Sequence, residues 1–341
     1  MERAVFDLPF PAAELPVLTE VAQRHRRWLV DSGLLASPAA IDRLMSWCPH
    51  RCAAHFHPDA RGPELLLATD FYGWMMAADG QFDGPLADRP DHVRELIQRH
   101  VAILDADGPS PLSPAERAFT DIWERLTEGM SSAWQARAAA CFARFLQGYI
   151  EEAANRRDQA TLLPDGYLDL RIRTGATDII MMLAERIDDC ELPLRVARHE
   201  TVRQLCHLSA QVIDVVQDVL SLDKEVADGD LHNIVLVLCR HHGWDTERAV
   251  GHCRTMVQDW TDSFVVLQSS LPTVRAELHL TDSEWARVCR YAGALRACMR
   301  GNHDWCGESP RYAPDAGQGR PYVGYLEGLD RAYALPESEH P

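Results

Sequence analysis

Asp79 and Asp83 stand four residues apart in Ala68–Asp83, a stretch that is apolar on nearly every side. Four helical residues turn through about 40°, so both carboxylates leave the same side of the helix end. Two acids at a helix C-terminus oppose its macrodipole and need a cation. Gln217, Ser221 and Glu225 are also spaced by four, which puts them on one strip about 80° wide. Their amide, hydroxyl and carboxylate oxygens suit one hard cation. Each pattern alone has a plain alternative. The first is an exposed helix end with solvated acids, and the second is a capping pattern before Gly229. Taken together they say more. Mg²⁺ is usually held by one or two protein groups plus substrate phosphates, so two acidic helices suggest a diphosphate clamped between them by metal.

The elements that must carry these residues are helices. Leu205, Leu208, Val212, Val215, Val219 and Leu222 recur at steps of three and four, the mark of an amphipathic helix. Similar stripes run through Val17–Leu29, Val93–Ile103, Ala115–Leu126, Ala133–Tyr149, Tyr167–Ile187, Leu231–Cys239, Ala249–Leu267 and Trp285–Met299. Asp-Gly pairs occur, but none joins two alternating runs as a hairpin would. Breakers at Pro58-Asp59, Asp88–Pro90, Pro109–Pro114, Leu163–Gly166 and Glu191–Pro193 supply short connections. With no repeat and no shift in composition, residues 1–341 read as one all-α domain with irregular ends at about 1–15 and 315–341.

Composition narrows the function. An apolar fraction of 46% and a charged fraction of 25% are those of an ordinary globular chain. With 51 acidic against 34 basic residues, the net charge is −17, which argues against nucleic-acid binding and against an anionic membrane surface. The first sixteen residues contain acids and prolines and no continuous apolar run, so no signal peptide is expected. No membrane span is expected either, since the best stretch, Leu65–Ala78, is short and interrupted by Asp70. Ten cysteines without paired spacing read as buried thiols in a reducing cytoplasm.

With these residues in place, the chain resembles the bacterial class I terpene synthases, or terpene cyclases. Trp74 and Asp79-Gly80-Gln81-Phe82-Asp83 resemble the family's aspartate-rich motif, and Gln217-Asp218-Val219-Leu220-Ser221-Leu222-Asp223-Lys224-Glu225 its second metal motif, (N/D)DxxSxxxE. Arg171, 46 positions before Gln217, matches the diphosphate-sensing arginine, with Arg173 as the alternate. Thr174-Gly175 resembles the effector break, and Arg311-Tyr312, after Trp305, the C-terminal Arg-Tyr pair. The likeness runs from about Trp28 to Tyr312. It departs from the family at Gly80, where a second Asp is usual, at Gln217, which is one methylene longer than Asn or Asp, and at Ile172, which interrupts the usual paired arginines.

The resemblance implies an antiparallel helical bundle around a central apolar cavity. It implies three Mg²⁺ ions between Asp79 and the Gln217, Ser221 and Glu225 strip. Arg171, Lys224, Arg311 and Tyr312 would hold the diphosphate, and Asp83 would orient arginine side chains. The Thr174-Gly175 break would turn a carbonyl toward the substrate cation, and aromatic faces, with Phe71, Trp74, Tyr72, Phe56 and Trp305 as candidates, would stabilise it. The implied reaction ionises and cyclises a linear isoprenyl diphosphate, with farnesyl diphosphate leading to a sesquiterpene. Geranylgeranyl or geranyl diphosphate is the alternative substrate. A chain-elongating prenyltransferase would need a second aspartate-rich motif. A non-catalytic binding protein descended from a cyclase is the rival from another class, kept by Gly80 and Gln217. A homodimer stays open.

Two other clusters were weighed. Cys48, Cys52, His55 and His57 resemble a zinc site, but their spacing is unorthodox, and a helix-to-loop stretch with surface imidazoles is the simpler expectation. Asp188-Asp189 reads as a pair of solvated acids.

Overall fold

The computed structural model describes residues 6–35, 37–82, 84, 86–105, 107–312 and 332. Asp83 and the tail expected to be irregular after residue 314 lie outside the described residues, except for Ala332. Every α-helix, strand or 3₁₀ element among the described residues is helical. In chain order these are α1 (Thr19–Ser32), α2 (Pro38–Ser46), α3 (Pro49–Phe56), α4 (Gly62–Phe82), α5 (Pro90–Ile103), α6 (Pro114–Thr127), α7 (Ser132–Asp158) and α8 (Pro164–Thr174). There follow α9 (Thr177–Ile187), α10 (Leu194–Ala197), α11 (Glu200–Asp228), α12 (Ile234–His242), α13 (Thr246–Ser269), α14 (Leu271–Glu277), α15 (Asp282–Glu308) and a 3₁₀ turn at Pro310–Tyr312.

Helix starts follow from local chemistry. Ser37, Ser113, Ser131, Asn233, Asp245 and Thr281 each accept a backbone N–H from the first turn that follows, satisfying one otherwise orphaned donor. Proline opens α2, α3, α5, α6 and α8, where its missing N–H costs nothing. Gly229 ends α11 at φ 72°, a left-handed conformation that glycine adopts without strain.

α11 packs against α13 and α15, α3 against α4 and α15, and α5 against α7. By length and composition alone α11 is apolar enough to cross a membrane, but 67% of its most apolar window is buried inside the bundle, as in the core helix of a globular protein. The Cys48–His57 expectation is corrected. These residues form α3 and its two caps, Cys48 and His57, and the imidazoles of His55 and His57 are buried rather than on the surface. Residues 6–15 carry no helix, as expected, yet Phe6, Leu8 and Phe10 are buried in the core. The Tyr167–Ile187 stripe divides at Gly175-Ala176 into α8 and α9.

Candidate active site

The bundle surrounds a cavity of about 950 Å³, its open mouth included. α4 contributes Tyr72, Met75, Met76 and Asp79 to the wall, positions that recur at three and four residues and so share one face. α11 contributes Gln217, Lys224 and Glu225, α8 Arg171 and Thr174, α15 Trp305, and the 3₁₀ turn Arg311 and Tyr312. The two acidic helices picked out by spacing therefore open onto the same space.

Asp79 contacts the guanidinium of Arg311. Arg311 is buried and lies over the ring of Trp47, 4.7 Å from its centroid, a cation–π placement that keeps its charge at the mouth. Opposite, Ser221 Oγ donates to Glu225 Oε1 at 2.7 Å, and Asn233 Nδ2 donates to Oε2 at 2.5 Å. Burial pushes the Glu225 carboxyl up to about 7, with Asp218 and Asp230 adding to the push. A carboxylate crowded by acids in this way gains from a dication. Gln217 donates its amide to the Tyr312 hydroxyl at 3.2 Å, so its Oε1 is the atom left to act as a ligand. The donor set thus fits a hard cation. Among the described residues no group of three His, Cys, Asp or Glu gathers into a metal site.

Asp218, the second residue of the motif, faces the other way. It accepts Arg171 Nε at 2.8 Å, the Tyr167 hydroxyl at 2.6 Å and the Ile234 backbone N–H at 2.9 Å. Asp218 therefore aims Arg171 rather than binding metal. Lys224, the only lysine of the chain, is buried 3.2 Å from Asp228, not an exposed helix-end cation.

The break after α8 is set by close approach. A Cβ on Gly175 would lie 2.2 Å from Asp214 Oδ1 and 2.8 Å from the Arg171 carbonyl oxygen. Ala176 then turns to φ 58°. Asp214 is buried, and its burial pushes the carboxyl well above the usual range. Gly175→Ala is expected to destabilise the chain by about 1–3 kcal/mol, as overpacking does. Denaturant unfolding measures it, and an unchanged midpoint would mean that the break tolerates a methyl group.

Phe71 and Trp74 are corrected. Neither lines the cavity, and both are fully buried in the core, where Trp74 stacks on Phe119 at 4.9 Å. Counting along α4, they point about 80° and 140° away from Asp79. Of the aromatic candidates, Tyr72, Phe56 and Trp305 line the cavity. Arg156, Glu152 and Asp230 also line the mouth. Arg156 forks onto Asp230 at 2.9 and 3.2 Å and, against the effect of burial, holds that carboxyl well below its usual range. The signal for Arg156 was helical. Tyr149, Glu152 and Arg156 share a face once α7 runs on to Asp158.

An all-α bundle whose deep cavity opens through a mouth rimmed with acids and arginines defines a class I terpene synthase fold. The family described as terpene synthase family 2, C-terminal metal binding, matches residues 70–263. Pentalenene synthase of Streptomyces avermitilis is 33% identical over 326 residues, covering 95% of this chain and 97% of that one. The (−)-β-caryophyllene synthase ((2E,6E)-farnesyl diphosphate cyclising) of Saccharothrix espanaensis is 34% identical, covering 96% and 94%. The crystal structure of germacradien-4-ol synthase from Streptomyces citricolor superposes with a TM-score of 0.82 at 31% identity, over 91% of this chain and 100% of that one. The chain belongs to the class I terpene synthase family, and membership implies Mg²⁺-dependent chemistry on an isoprenyl diphosphate.

Proposed function

We propose that the chain ionises and cyclises farnesyl diphosphate to a sesquiterpene, releasing diphosphate. The supporting observation is the division of one cavity. Asp79, Gln217, Glu225, Arg171, Lys224, Arg311 and Tyr312 supply its polar and charged lining, while Phe56, Tyr72, Met75, Met76, Ile180 and Trp305 supply apolar and aromatic wall. The choice of farnesyl diphosphate is supported by the Saccharothrix relative, whose substrate it is.

Asp79, Gln217 Oε1, Ser221 Oγ and Glu225 would hold three Mg²⁺ ions. Bound there, the ions supply Lewis acidity that neutralises the leaving diphosphate. Arg171 and Arg311 offer forked donors to its oxygens, with Lys224 and Tyr312 beside them. Thr174 and Gly175 stand at the wall where the chain breaks helix. The packed wall keeps water from the cation, and its aromatic faces stabilise positive charge. All ten cysteines are free thiols, which supports work in a reducing cytoplasm.

The test incubates purified protein with geranyl, farnesyl and geranylgeranyl diphosphate and Mg²⁺, then analyses the extract by gas chromatography–mass spectrometry. A cyclic C15 product from farnesyl diphosphate is expected, and EDTA is expected to abolish it until excess Mg²⁺ is restored. Product from another chain length alone would reassign the substrate. No product from any of the three would favour the binding-protein reading.

A further inference from the structure

On α4, away from Asp79, a chain of hydrogen bonds leads out of the cavity wall. Tyr72 lines the cavity seven residues before Asp79 on α4, about 10 Å along the helix axis. Its hydroxyl lies 3.2 Å from His57 Nε2, and His57 Nδ1 lies 3.1 Å from Asp188 Oδ2. His57 is completely buried, whereas the Asp188 side chain is 10% exposed. Asp188 is therefore turned inward, unlike the solvated acid expected from sequence, while its neighbour Asp189 stays in solvent.

The hydrogen-bond chain uses one set of roles, that of the neutral His57 ring. A carboxylate only accepts, so Nδ1 carries the proton toward Asp188. Nε2 of the neutral ring is then an acceptor, and the Tyr72 hydroxyl donates to it. The arrangement runs phenol, imidazole, carboxylate, from the cavity wall toward the protein surface. Nothing in the metal-dependent ionisation uses it. Burial also holds the Tyr72 hydroxyl well above its usual range, so the phenol stays neutral and adds no charge to the dry cavity.

We propose that Tyr72, His57 and Asp188 form a relay that takes the proton shed when the final carbocation becomes an olefin. A C–H bond next to the cationic carbon breaks, and its electron pair forms the new C=C bond. The phenolic oxygen takes that proton as its own passes to His57 Nε2. The resulting imidazolium, stabilised by Asp188, gives up its Nδ1 proton to Oδ2 of that carboxylate, which releases it to solvent. No further reactant is needed. The inference rests on the cyclase reading above. Diphosphate held at the mouth would be too far away to collect this proton from a cation at the Tyr72 end.

The experiment measures diphosphate release and product profile together, in wild type, Tyr72→Phe and Asp188→Asn, with farnesyl diphosphate and Mg²⁺. Tyr72→Phe keeps the ring and removes only the hydroxyl. Per diphosphate released, the wild-type olefin is expected to fall at least about tenfold in both variants, the low side of what a positioned proton acceptor contributes, with alcohols and isomeric olefins replacing it. An unchanged profile in Tyr72→Phe, or a shift in Tyr72→Phe absent from Asp188→Asn, overturns the relay. So does a wild-type profile made only of alcohols. Should Tyr72→Phe fail to fold, Asp188→Asn alone decides. Wild type that releases no diphosphate overturns the cyclase reading itself, and the relay with it.

Discussion

Glu225→Gln is expected to cut diphosphate release by about 10³-fold while leaving the protein at least as stable. The first half follows from charge. A bound dication supplies several kcal/mol of transition-state stabilisation, and at about 1.4 kcal/mol per decade that is roughly 10³-fold. The second half follows from burial. Without a cation, Glu225 is pushed up to about 7 by its surroundings. The folded state therefore favours the neutral acid, while the unfolded chain ionises near the ordinary value. The resulting penalty on folding grows as pH rises from the unfolded value to about 7, and then stays constant. A neutral amide of the same shape removes that penalty, and its oxygen still accepts from Ser221 or Asn233. Above pH 7 and without Mg²⁺, the variant should melt at the wild-type temperature or slightly higher. With Mg²⁺ and diphosphate the wild type should gain in melting temperature by mass action, and the variant should gain little. A variant that turns over at the wild-type rate would remove Glu225 from the metal set.

Which parts of this site were legible in the sequence depended on how far apart the partners lie. Gln217, Ser221 and Glu225 share one helix, and the 3.6-residue period alone aligned them. Arg171, Gly175 and Arg311 came from the resemblance to the family, and the structure lines the same cavity with all three. Residue type without direction misled at Phe71 and Trp74. Aromatic character suggested a cavity wall, but helical phase turns both into the core. Arg156 escaped because the apolar stripe of α7 ends at Tyr149 while the helix continues to Asp158, so its register with the mouth was hidden. His57 and Asp188 escaped for a different reason. They are 131 residues apart, and only the packing of α4 against both α3 and α9 makes them neighbours. The short α3 was legible as a helix-to-loop stretch but its start was not, because it begins at Pro49 behind a left-handed Cys48 at φ 57°, a conformation rare for a side-chain-bearing residue.

Asp218→Ala is expected to destabilise the chain by about 3–5 kcal/mol, the cost of leaving a buried charge without its partner. Asp218 is buried, and its two oxygens satisfy the Arg171 guanidinium, the Tyr167 hydroxyl and the first N–H of α12. Alanine leaves two buried donors and the part-buried, charged Arg171 unmatched, and removes the bond that ties α8 and α12 to α11. Urea titration measures the loss, and a drop below about 1 kcal/mol, the scale of one ordinary hydrogen bond, would mean that water replaces the carboxylate. Removing Arg171 as well separates the two contributions. If the cost lies mainly in the stranded guanidinium, Asp218→Ala with Arg171→Ala should be more stable than the sum of the single losses predicts, a coupling read directly from the double-mutant cycle. The effect on catalysis should run in the opposite direction. The double variant recovers stability but lacks the forked donor for diphosphate, so its turnover should stay at or below that of Asp218→Ala. Stability and activity then part company at one ion pair, because Asp218 serves the fold by neutralising Arg171 and serves the reaction by aiming it.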